Sequence, residues 1–157
     1  MRLPALITAA LLSAATACAP AAPPSDAPPS NDPPAAGQSG ALAAAQRSWE
    51  AARPAAYAYT LEISCFCLHR GRYALEVRNG QIASARDAAT GAAPPADRVE
   101  WLLTVDRLFE AMRQASQAGT PVRATYHPQQ GYPTEVEIGL LANDSGTLYR
   151  IENLRAL

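Results

Sequence analysis

The chain has 157 residues, with 13 basic residues, all of them arginine, against 14 acidic ones, for a formal net charge of −1. That balance excludes the broad basic surface needed to neutralise nucleic-acid phosphates, so no nucleic-acid partner is expected. Of the three cysteines, Cys18 lies near the start, and only Cys65 and Cys67 are available to a folded domain.

In chain order, Met1-Arg2 supplies a positive charge, Leu3 to Leu12 a short apolar run, and Ser13 to Ala17 small residues. This is the pattern of a secretory signal peptide over residues 1–17, too short for a spanning helix, which needs about 20 apolar residues. Ala15-Thr16-Ala17-Cys18 resembles a bacterial lipobox, with Cys18 as the lipidated residue, although Ala15 stands where Leu is preferred. The competing reading is an ordinary A-x-A cleavage site that leaves Cys18 as a free thiol. Ala19, where Asp would signal inner-membrane retention, points to an outer-membrane anchor facing the periplasm in a Gram-negative host. Residues 18–40 are rich in Pro, Ala and small polar types with almost nothing to bury, which predicts an extended tether.

Residues 41–157 have the size of one small domain. Ala41 to Ala52 is predicted as a helix with Leu42, Ala45, Trp49 and Ala52 on one side, ended by Pro54. From Ala56 to Cys67 a strand follows, with Tyr57, Tyr59, Leu61, Ile63, Cys65, Cys67 and His69 on alternate positions of one face. Arg72 to Arg78 and Gln81 to Arg86 form a hairpin, because Asn79-Gly80 suits the two positive-φ positions of a primed turn and sets Val77 opposite Ile82. Asp87 to Asp97 is predicted as a loop. Thr104 caps a helix that stops at Gly119 and whose stripe of Val105, Leu108, Phe109, Met112 and Ala115 covers the sheet. Three further strands carry Val122, Ala124 and Tyr126, then Val136, Ile138 and Leu140, then Leu148 to Asn153. The expectation is a single α+β domain, an antiparallel sheet of about six strands with helical cover, in the order α-βββ-α-βββ.

Trp49, Tyr57-x-Tyr59, Cys65-x-Cys67, Asn79-Gly80, Thr104-Val-Asp-Arg-Leu-Phe109 and Tyr126-His-Pro-Gln-Gln-Gly-Tyr-Pro133 occur here in that order, behind a lipoprotein-type leader. Together they resemble the bacterial exported proteins of domain of unknown function 6174, over essentially Trp49 to Leu154. In those proteins the turn usually reads Tyr-Asp-Pro, and here His127 takes the Asp position. The resemblance implies a small, often lipid-anchored envelope protein without an established activity.

Cys65 and Cys67 are expected to form a disulfide, since no other cysteine remains once Cys18 is lipidated. Side chains two apart in a strand are about 6.6 Å apart along the chain, so the bond requires a bend near Phe66. Such a small loop restrains little unfolded-chain entropy, which favours ready reduction. The other reading of the cluster is a copper or zinc site, or a thiol-redox pair, formed by Cys65, Cys67 and His69. Ser64, Ser84, Ser116 and Ser145 lack a nucleophile setting, and Glu135 with Glu137 reads as the solvated side of a strand. No enzyme activity or cofactor is expected. Tyr132, Pro133 and His127 form a candidate partner surface, although packing of the turn against the sheet is the preferred reading of Tyr132. The leading reading is therefore a binding or structural module held at the membrane by its lipid, with another envelope protein as partner. Metal handling or thiol redox chemistry is the alternative.

Overall fold

A computed structural model of the chain describes residues 35–157, with side chains from Gln38 onward. The predicted signal peptide, Cys18 and most of the predicted tether lie outside the described residues. Helix α1 spans Ala35–Ala52, followed by strands β1 (Ala56–Cys65), β2 (Gly71–Arg78) and β3 (Gln81–Asp87). A short helix α2 (Ala96–Val99), helix α3 (Val105–Gln117), and strands β4 (Val122–Tyr126), β5 (Pro133–Ile138) and β6 (Thr147–Ala156) complete the domain. A single 3-10 turn, Leu141–Asn143, joins β5 to β6. The predicted α+β class and the succession α-βββ-α-βββ hold, with the short α2 added before the second main helix.

The six strands form one sheet in the order β3-β2-β1-β6-β5-β4, and every pairing is antiparallel. Each half of the chain builds a three-stranded meander, and β1 and β6 join the two meanders at the centre. Asn79 and Gly80 adopt φ of 52° and 75°, as a primed turn requires, and Val77 pairs with Ile82 as expected. In β6, Asn153 takes a φ of 56° where the register with β1 shifts between Ala58 and Thr60. An Asn tolerates this left-handed position, so β6 gains a bulge and stays paired to the end of the domain.

One face of the sheet is apolar. Tyr57, Tyr59, Leu61 and Ile63 of β1, Tyr73, Leu75 and Val77 of β2, Val136 of β5 and Ile151 of β6 are all buried. Ala45 and Trp49 of α1 and Val105, Leu108, Phe109 and Met112 of α3 close over them in one continuous core. Helix α3 starts as predicted, with the Thr104 hydroxyl accepting from the Arg107 amide at 3.2 Å. The opposite face carries ion pairs across the strands. Arg150 meets Glu135 at 2.8 Å and Glu62 at 3.8 Å, Arg123 meets Glu137 at 3.3 Å, and Arg72 pairs with Glu152. Glu135 and Glu137 thus belong to the polar side of the sheet.

Several details differ from expectation, among them β5, which ends at Ile138 before Leu140, and β6, which runs on to Ala156. Helix α1 begins at Ala35 rather than Ala41, because its alanines favour helix and a glycine costs only about 1 kcal/mol there. Ala52, assigned to the inner side, is exposed in the last turn. The loop of residues 87–97 ends in α2, which buries none of its residues and so leaves no periodic signal. Among the described residues no helix is long and apolar enough to cross a membrane.

The turn between β4 and β5 is fixed by Gly131, whose φ is 74° and whose backbone lies against α1. A Cβ there would sit 2.7 Å from Ser48 Cβ and 2.9 Å from the Trp49 nitrogen. Gly131→Ala is expected to destabilise the domain by about 2–3 kcal/mol, read as a lower denaturant midpoint at unchanged slope.

Candidate functional site

Strand β1 carries its inward alternation to the rim of the sheet, where Cys65 is its last residue and pairs with Thr147 of β6. The chain then bends at Phe66 and Cys67, so the strand stops two residues before its predicted end. Cys65 and Cys67 form a disulfide with their Cα atoms 5.2 Å apart. This is closer than the spacing of a regular strand allows, which accounts for the bend.

His69 follows in the same turn. Its Nδ1 or Nε2 and the two sulfurs lie within 4.8 Å of one another, and all three residues are half-buried. The imidazole stacks on the indole of Trp101, with ring centroids 4.4 Å apart and planes 4° from parallel. Trp101 reaches it from the turn after α2, where its amide donates to the Arg98 carbonyl at 3.1 Å. The Tyr73 hydroxyl contacts the His69 and Arg70 carbonyls at 3.5 Å each, tying the far end of the turn to β2. Alternation persists through this segment: the cysteines and His69 turn towards the protein while Phe66 and Leu68 are 83% and 91% exposed. Two large apolar side chains therefore flank the sulfurs in full contact with solvent.

The three residues of the predicted cluster are thus brought together, and among the described residues they form the one group suited to a metal. His127 stands apart, in the turn between β4 and β5. Its Nδ1 accepts from the Gln129 and Gln130 amides at 3.4 and 3.2 Å, the acceptor role an Asp side chain performs in an Asx turn. Its ring stacks on Tyr132 at 4.8 Å. Tyr132 itself is only 7% exposed and meets Trp49 edge-on at 6.2 Å, and Pro133 is buried. Tyr132 and Pro133 are therefore core residues rather than a partner surface, because Gly131 lets the turn close tightly on α1.

A polar hub beneath the helices escaped the sequence reading. Asp106 Oδ1, in the first turn of α3, accepts from Trp49 Nε1 at 3.2 Å and from Arg53 Nη1 at 2.7 Å. These partners lie more than fifty positions away, so no local pattern announces them. Close by, burial pushes the Tyr57 hydroxyl up to about 12, with Asp106 adding to the rise and the Val105 amide and Arg53 opposing it. Burial also raises Tyr59 well above its usual range, where its hydroxyl donates to the Leu103 carbonyl, and pushes Tyr126 up to about 12. In the unfolded chain these phenols ionise near pH 10. The folded state is then fully stabilised below about pH 10 and loses that contribution as pH rises towards 12. Alkaline unfolding followed by circular dichroism should coincide with a late step in tyrosinate absorbance.

No curated protein and no solved structure shows significant similarity to the chain. Residues 41–156 match the family of unknown function DUF6174, a span that runs from α1 to the last residue of β6, and the chain belongs to that family.

Proposed function

We propose that the domain is a non-enzymatic copper(I)-handling protein of the bacterial envelope, gated by the redox state of Cys65 and Cys67. The observation that carries this reading is the convergence of two sulfurs and one imidazole within 4.8 Å at the exposed end of β1. Thiolates with an imidazole select soft cations, and three donors suit copper(I) better than structural zinc, which takes four protein ligands. In the oxidised form the sulfurs are bonded to each other and bind nothing. A dithiol reductant delivers two electrons and two protons to the bond and leaves as its own disulfide. The two new thiols then release their protons on taking the metal. Stacking on Trp101 holds the His69 ring in place for this step.

Copper(I) titration of the reduced chain should show submicromolar binding that disappears in Cys67→Ser, and mass spectrometry of the unreduced protein should show it two mass units lighter than the reduced form. Binding that survives Cys67→Ser overturns the metal reading. Phe66 and Leu68 favour a second role for the same loop, as a contact surface for another envelope protein.

The address follows from the leader. Met1 to Ala17 supports export, and Ala15-Thr16-Ala17-Cys18 supports lipidation of Cys18, with residues 19–34 as spacer to the domain. In a Gram-negative host this puts the cluster in the periplasm at the outer membrane. Metabolic labelling with a palmitate analogue should mark the wild type, and Cys18→Ala should abolish the label.

A further inference from the structure

A cleft of the described domain lies away from the cysteines, between the end of α1, the first turns of α3 and the Asn79-Gly80 turn. It encloses about 650 Å³. This is the size range of small-molecule sites. Two ion pairs line it. Arg53 meets Asp106 at 2.7 Å, and Arg113 pairs with Glu110 while reaching the Gln46 side-chain oxygen at 3.4 Å. All four side chains are a third to a half exposed.

Tyr57 lines the same cleft and is 2% exposed. Among the described residues its hydroxyl is the one buried side-chain polar atom that makes no hydrogen bond of regular geometry, although the Val105 amide lies near enough to favour its ionised form. Asp106 and Arg53 are the charged groups that act on it. A buried hydroxyl left unpaired is unfavourable, and native structures keep few of them. Here it sits behind an ion pair whose guanidinium faces solvent.

The charge arrangement restricts what can enter. An anion that captures Arg53 leaves Asp106 with only the Trp49 indole, and a cation that captures Asp106 strands Arg53. Either outcome exchanges one ion pair for another and gains little, because both groups are partly exposed. A molecule carrying both signs close together re-pairs both groups at once.

We propose that this cleft binds a small zwitterion of the α-amino-acid class, whose carboxylate takes Arg53 and the Tyr57 hydroxyl proton while its ammonium takes Asp106. Arg113, Glu110 and Gln46, further along the cleft, meet the ligand's side chain and set its preference. The site is independent of the cysteine cluster.

The test is isothermal titration calorimetry of the full chain with each of the twenty common amino acids, and with acetate and methylammonium as single-sign controls. At least one amino acid should bind with a sub-millimolar Kd, and neither control should. Tyr57→Phe and Arg53→Gln should each weaken binding by about tenfold or more with unchanged circular dichroism. Cys67→Ser should bind as the wild type does, which separates this site from the copper reading. The proposal fails if none of the twenty binds, if acetate alone binds as tightly, or if binding survives both Tyr57→Phe and Arg53→Gln. If Tyr57→Phe does not fold, the solvent-facing Arg53→Gln decides alone.

Discussion

Burial of the inward side chains of β1 is the constraint on which the domain rests. The strand is paired on both sides, so its alternation is locked against β2 through Tyr57 with Val77, Tyr59 with Leu75 and Leu61 with Tyr73, and against β6 through Leu61 with Ile151. Each fully buried side chain of this kind contributes about 1.5–3 kcal/mol. A slip of one residue would turn all of them to solvent at once, which is why register is strongly specified here. The same alternation decides the position of the sulfurs. Cys65 is the next inward residue after Ile63, at the rim where the helices no longer cover the sheet, so sulfur chemistry arises at a place set by packing.

The two helices are joined to this strand by aromatic and polar contacts together. Trp49 meets Tyr57 edge-on at 5.3 Å and donates to Asp106, and Arg53 reaches the same carboxylate from one turn later. Asp106 also lies in the first turn of α3, where a negative charge is favoured by the helix dipole. One carboxylate thereby orients an indole, a guanidinium and a helix start. An exposed ion pair alone is worth only about 0–1 kcal/mol, so the value of this group lies in fixing α1 against α3 rather than in Coulomb energy.

Much of the fold was legible because local chemistry and tertiary packing agree. Asn79-Gly80 set a hairpin register to the residue, Thr104 marked the start of α3, and the stripe from Val105 to Met112 named the covering face. The sequence failed where its signal was long-range or absent. Nothing near β1 states that β6 will lie beside it, nor that Asn153, in the middle of a strand, will adopt a left-handed turn to make this fit. Helix α2 buries no side chain and so has no pattern. The cysteine cluster was readable from alternation alone, yet the indole stacked on His69 comes from a segment that reads as loop. For Tyr132 the reading that its turn packs on the domain holds over the partner-surface reading, because a glycine beside it lets two backbones approach.

The central seam of the sheet unites the first strand of the domain with the last. Until Thr147–Ala156 is available, β1 lacks one neighbour and the second meander has nothing to join. Such remote pairing carries a high loop-closure cost and slows folding. Completion of the six-stranded sheet therefore waits on the most remote pairing in the domain, and the β1–β2–β3 meander keeps an open edge along β1 until Thr147–Ala156 docks there.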